Sequence, residues 1–161
     1  MAFEPDIVVS ANDGTSLLLV AETKSMRAAP EALGLAETQL KRYMIGMRCG
    51  IGMLVTPETV RIFRDPYRGY TPDSIELVGD FEFPADTDEG AGSSASSDAQ
   101  FEAFVQRWLE NLKDPNERAR LPSPLREAID EHIVPVLRRG EVRAAHHRRL
   151  VSRASDRGRS A

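Results

Sequence analysis

Two apolar runs near the start of the chain set its organisation. Ile7, Val8 and Val9 form a β-branched stretch, Asn12, Asp13 and Gly14 supply the backbone freedom of a tight connection, and residues 17–21 (Leu-Leu-Leu-Val-Ala) resume an extended segment. The pattern predicts a β-hairpin. Its second run is nearly continuous rather than alternating, so it is expected to be covered on both faces of a sheet. The period then changes. Leu33, Ala36, Leu40, Tyr43 and Met47 follow the i, i+3, i+4 spacing of an amphipathic helix, with Gly50 as its expected C-cap. Residues 51–56 and 59–64 read as two strands joined at Pro57 and Glu58. Residues 74–83, with Ile75, Leu77, Phe81 and Phe83, read as a further strand that Gly79 interrupts.

At Pro84 the character changes. Residues 84–99 (PADTDEGAGSSASSDA) are small and acidic without large apolar side chains, the composition of a flexible linker. Beyond them, Phe101, Phe104, Val105, Trp108, Leu109 and Leu112 make a helical stripe. Ser123 and Pro124 have N-cap and N1 chemistry for a second helix, carrying Leu125, Ile129, Ile133 and Val136, with Pro135 as a kink or late break. The expected organisation is a mixed α/β core over 1–83 with a sheet of four or five strands flanked by helices. A linker over 84–99, a C-terminal helical pair over 100–139 and a basic, disordered tail over 140–161 follow. The helical pair either covers the sheet or forms a separate appendage.

Length and composition narrow the function. A chain of 161 residues can build one domain with a real core. No apolar segment approaches the roughly 20 residues of a membrane span, and no basic stretch precedes an apolar one at the N-terminus, so a cytoplasmic protein is expected. Cys49 is the single cysteine, which excludes an internal disulfide and a cysteine zinc cluster. His146 and His147 are adjacent and share no helical face. From position 138 onward, eight arginines stand against Glu141 and Asp156, about +6 in a chain of net charge −4. Such a tail can neutralise phosphates or simply be solvated; the acidic body cannot coat nucleic acid by bulk charge.

The chemistry concentrates at the hairpin. Asp6 opens the first run, and Glu22, Thr23 and Lys24 close the second, so pairing the strands brings Asp6 towards Glu22. Alternation puts Glu22 and Lys24 on one face and turns the Thr23 side chain away, leaving its carbonyl near that face. Two carboxylates and a carbonyl are hard oxygen ligands, suited to Mg²⁺ or Mn²⁺. Lys24 is placed to orient or deprotonate a water, or to stabilise charge developing on a phosphate.

Pro5-Asp6 followed by Glu22-Thr23-Lys24 resembles the signature of the PD-(D/E)XK nuclease superfamily. Gln39 and Tyr43, four apart on the following helix, resemble the QxxxY motif of its RecB-like members. Taken alone, Tyr43 reads as a core aromatic and Gln39 as a boundary residue. PDIVV and LLLVAETKS also resemble the N-terminal nuclease domains of type I restriction subunits. The likeness covers the first third to half of the chain. It implies a restriction-endonuclease-like sheet, Asp6, Glu22 and the Thr23 carbonyl as Mg²⁺ or Mn²⁺ ligands, Lys24 as the catalytic lysine, and Gln39 and Tyr43 as supporting or DNA-contacting groups. It further implies cleavage of phosphodiester bonds, in DNA more than RNA, by an endo- or exonuclease of restriction, defence or repair. The superfamily usually places a helix and a strand before the Asp-bearing strand, and only four residues precede Pro5 here. Either a homodimer or a larger restriction or repair complex is expected to complete the site, or the chain is a shortened relative. The alternative is a catalytically inactive interaction module.

Overall fold

The hairpin forms as the hydropathy requires. In a computed structural model that describes residues 3–25, 29–83 and 98–145, β1 (Ile7–Ala11) and β2 (Leu17–Thr23) pair antiparallel with Ile7 opposite Ala21 and Val9 opposite Leu19. Gly14 takes a φ of 75°, and Asp13 accepts hydrogen bonds from the Thr15 N–H and hydroxyl, which close the turn. Helix α1 (Pro30–Met47) then crosses over, and β3 (Ile51–Val55) returns parallel to β2. Strands β4 (Thr59–Arg64) and β5 (Glu76–Glu82) continue antiparallel from it.

The C-terminal part departs from the expectation. Helices α2 (Asp98–Asn111), α3 (Pro115–Ala119), α4 (Ser123–Ala128) and α5 (Val134–Arg139) are followed by a sixth strand, β6 (Gly140–Ala144), which pairs antiparallel with β1. Among the described residues the sheet therefore has six strands in the order β5-β4-β3-β2-β1-β6, rather than four or five. Residues 140–144, assigned by composition to a disordered tail, close an edge of the sheet. Gly140 is required there, because a Cβ on it would lie 2.5 Å from the Ser10 carbonyl oxygen. Residues 146–161 of that tail, and residues 84–97 of the expected linker, lie outside the described residues.

The sheet is a layer between two unequal covers. On one face Ile7, Val9, Leu19, Ala21, Met53, Val55, Val60 and Ile62 meet Phe101, Val105, Leu109, Leu125, Ile129 and Ile133 of the C-terminal helices. These helices cover one face of the sheet, the first of the two arrangements expected for them. On the other face Val8, Val20, Leu54 and Phe63 pack under Ala36, Leu40 and Met44 of α1. Pro135 interrupts the helical ladder without ending the helix, which runs on to Arg139. It has no N–H to offer, and the chain widens just before it into a π-turn (Ile129–Ile133) in which the Val134 N–H reaches the Ile129 carbonyl. The C-cap of α1 is Arg48, left-handed at φ 53°, and not Gly50. No helix among the described residues is long and apolar enough to cross a membrane.

Candidate active site

Asp6, Glu22 and Lys24 come together at one end of the sheet. The register that sets Ile7 against Ala21 carries Asp6 alongside Glu22, on the α1 face with Val8 and Val20. One oxygen of Asp6, Oδ2, accepts hydrogen bonds from the Thr23 N–H at 2.8 Å and the Thr23 hydroxyl at 2.9 Å. These two bonds fix the carboxylate's direction. Lys24 is held at the strand end by its own N–H, which donates to the Val55 carbonyl at 3.0 Å, and its ammonium lies 3.4 Å from Glu22 Oε2.

Glu22 is the unusual group. It is only 7% exposed, on a strand whose neighbours are Leu, Val and Ala. Its Oε1 is buried with no hydrogen-bond partner among the described residues. Burial pushes its carboxyl up from 4.5 to about 8, the hydrogen bonding and negative charge of Asp6 add to the shift, and Lys24 opposes it without prevailing. Two carboxyls this close share a proton or a cation between them. The donors of the pair are hard oxygens.

The other expected residues are near but differently engaged. Thr23 pairs with Val55, and its hydroxyl is turned to Asp6 rather than away from the site, a correction to simple alternation. Tyr43 is half-buried and its ring meets Phe3 edge-on at 5.7 Å, three residues before Asp6. Gln39, half-buried, lies one turn earlier on the same flank of α1. The opposite flank is tied down separately: Glu37 bonds both Lys41 at 2.9 Å and Arg61 at 3.1 Å, and Arg61 reaches Asp80 at 3.2 Å. Arg61 lies across Leu54 from Glu22, so a row of charged groups continues over the sheet from the carboxylates.

No protein-family model, curated protein or solved structure matches this chain.

Two neighbours of the site carry little signal in the sequence. The Ala145 N–H donates to the Asp6 carbonyl at 3.0 Å, so β6 prolongs itself along the site's outer edge. Two pairs back, Arg143 stands opposite Val8 on the α1 face. Its guanidinium bonds Glu141 at 2.8 Å while its Nε is buried with no hydrogen-bond partner among the described residues. The pattern is weak there because Val142 is the single large apolar residue in Gly-Glu-Val-Arg-Ala.

Proposed function

We propose that the chain is a metal-dependent nuclease of the PD-(D/E)XK kind, with a restriction-endonuclease-like arrangement of its mixed sheet, hydrolysing phosphodiester bonds in DNA in preference to RNA. The observation that carries this reading is the contact of the Asp6 and buried Glu22 carboxyls, with the Lys24 ammonium 3.4 Å away. Asp6, Glu22 and the Thr23 carbonyl would hold Mg²⁺ or Mn²⁺. Such an ion supplies charge neutralisation at the phosphate and a more acidic water. The chain's own residues do the rest. Thr23 keeps Asp6 oriented through two hydrogen bonds, and Glu22 gives up its proton as a cation takes its place. Lys24 then stands beside the scissile phosphate, where it orients the attacking water and stabilises the developing negative charge. Arg143 offers a phosphate contact at the β6 edge. Partner subunits, in a homodimer or a restriction or repair complex, are the expected source of any further ligand, and Gln39 and Tyr43 line the approach from α1.

A second reading has its own observation. Asp6 is already satisfied by two Thr23 bonds and Glu22 is neutral at pH 7, which is also how a purely structural carboxyl pair in an inactive interaction module would look. Calorimetric titration of Mn²⁺ separates the two. The nuclease reading expects binding in the wild type that disappears in Asp6→Ala, with release of about one proton per ion. It also expects Lys24→Ala to keep the fold, since that side chain is 41% exposed, and to lose about 10²-fold or more in cleavage rate. Absence of Mn²⁺ binding to either protein, with nucleic acid present, rejects the reading.

A further inference from the structure

At the end of the sheet away from Asp6 and Glu22, where β3 begins and β4 ends, a cavity of about 330 Å³ is lined by Arg48, Asp65, Tyr67, Arg68 and Tyr70. It belongs to none of the machinery described above. Its walls are held in place at some conformational cost. Arg48 and Tyr67 are the two non-glycine residues among those described with positive φ, at 53° and 59°. Bulky side chains avoid this region unless their surroundings impose it. Here the imposition is visible. The buried Asp65 donates its N–H to the Gly50 carbonyl at 2.9 Å and accepts the Tyr67 N–H at 2.8 Å. The Tyr67 hydroxyl lies 2.9 Å from where a Cβ of Gly50 would stand, so glycine at 50 is kept for this ring rather than for a helix cap.

Pinned in this way, the loop displays rings and charges instead of burying them. Tyr67 is 64% and Tyr70 85% exposed. Arg48 and Arg68 are exposed and take part in no salt bridge among the described residues, whereas Arg64 beside them is engaged by Glu76 at 2.8 Å. Aromatic faces interleaved with exposed guanidinium groups are the means by which proteins take hold of an unpaired base and its phosphate. We propose that this pocket binds one unpaired nucleotide of a single-stranded nucleic acid, with the base stacked on Tyr70 and Tyr67 and the phosphate held by Arg48 and Arg68. The choice of a polymer rests on the nuclease reading. Gly50, just before β3, and Leu54 are four residues apart, about 13 Å at strand rise. A strand anchored at Tyr70 therefore needs only a few nucleotides to reach the carboxylates.

The test is fluorescence anisotropy of labelled oligothymidylate and oligouridylate, each about a dozen nucleotides long, with the full chain in EDTA and low salt. Tyr70→Ala and Arg68→Ala should each weaken binding about tenfold, Tyr70→Phe should retain it, and an abasic probe should bind wild type and Tyr70→Ala alike. Equal binding of the base-bearing probes by Tyr70→Ala and wild type overturns the proposal, whatever Arg68→Ala does. So does failure of both probes to bind. Divalent cations are absent from this measurement, so its failure is distinct from failure of the Mn²⁺ titration.

Discussion

The two faces of the sheet are built from different materials. The face under α2 to α5 is apolar throughout, from Ile7 and Leu19 to Phe101, Leu109 and Ile133. The α1 face has the smaller apolar cluster, around Val20, Leu40 and Phe63, and carries Asp6, Glu22, Lys24, Arg61 and Glu37 towards one end. The difference teaches a division of labour. Hydrophobic stabilisation scales with apolar area removed from water, so the thicker face is where the fold is held. A carboxylate such as Glu22 can then be kept buried on the other face at a cost the first face offsets.

The contrast is broken most directly on the apolar face. Phe101 is fully buried and stacks towards Phe104 at 6.4 Å. Phe101→Ala should cost about 3–5 kcal/mol, seen as a lower urea midpoint. If the protein loses less than about 1 kcal/mol, the C-terminal helices are not the stabilising cover proposed for them.

Glu22 tests the other side of the comparison, with an effect somewhat smaller and dependent on pH. Its carboxyl is raised from 4.5 in the unfolded chain to about 8, first by burial. Between those values the folded protein binds a proton that the unfolded chain has released. Stability contributed by the neutral carboxyl is therefore complete below about pH 4.5 and is lost as pH rises through about 8. Between about pH 5 and about pH 9 the loss amounts to about 4 kcal/mol, because each tenfold difference in proton affinity between the folded and unfolded chain is worth about 1.4 kcal/mol. Urea unfolding at about pH 5 and about pH 9 should show this decline in wild type and a flat profile in Glu22→Gln. A wild-type profile as flat as the variant's would mean that Glu22 is ionised in the folded protein. Mn²⁺ affinity should run the opposite way, rising with pH as the competing proton leaves.

Much of this architecture is legible in the sequence because local signals and tertiary demands coincide. The hairpin turn at Asn12, Asp13 and Gly14 fixes a register, and the register alone brings Asp6 to Glu22. The period of α1 and the runs of β3, β4 and β5 are likewise local. β6 is not legible, because its partner β1 lies more than a hundred residues away in the chain and an edge strand with Glu141 and Arg143 looks like solvated tail. The same holds for the two corrections at the site and beside it. Thr23 turns its hydroxyl to Asp6 because the ladder ends there and the carboxylate takes up its N–H. Arg48 assumes the left-handed cap because Gly50 is needed under Tyr67, a contact between segments that no local pattern announces.

The smallest effect sharpens the comparison furthest. Arg61 joins Glu37 at 3.1 Å and Asp80 at 3.2 Å, and so links the α1 flank to β4 and β5 across the face that holds the carboxylates. Arg61 and Glu37 are 30% and 27% exposed, wet enough that solvent screens much of their attraction. A double-mutant cycle of Glu37→Gln and Arg61→Gln should give a coupling of about 0.5 kcal/mol in urea unfolding. A coupling above about 2 kcal/mol would make the polar row a structural element and erase the division between the faces. With the small value, the row's purpose lies elsewhere. It holds α1 at the height that lets Leu40 cover the sheet while Gln39 and Tyr43 stay on the flank towards Phe3. The same pair of variants should then weaken Mn²⁺ binding by more than the stability change accounts for, because a shifted α1 admits water to Glu22 and lowers the advantage a cation holds over the proton.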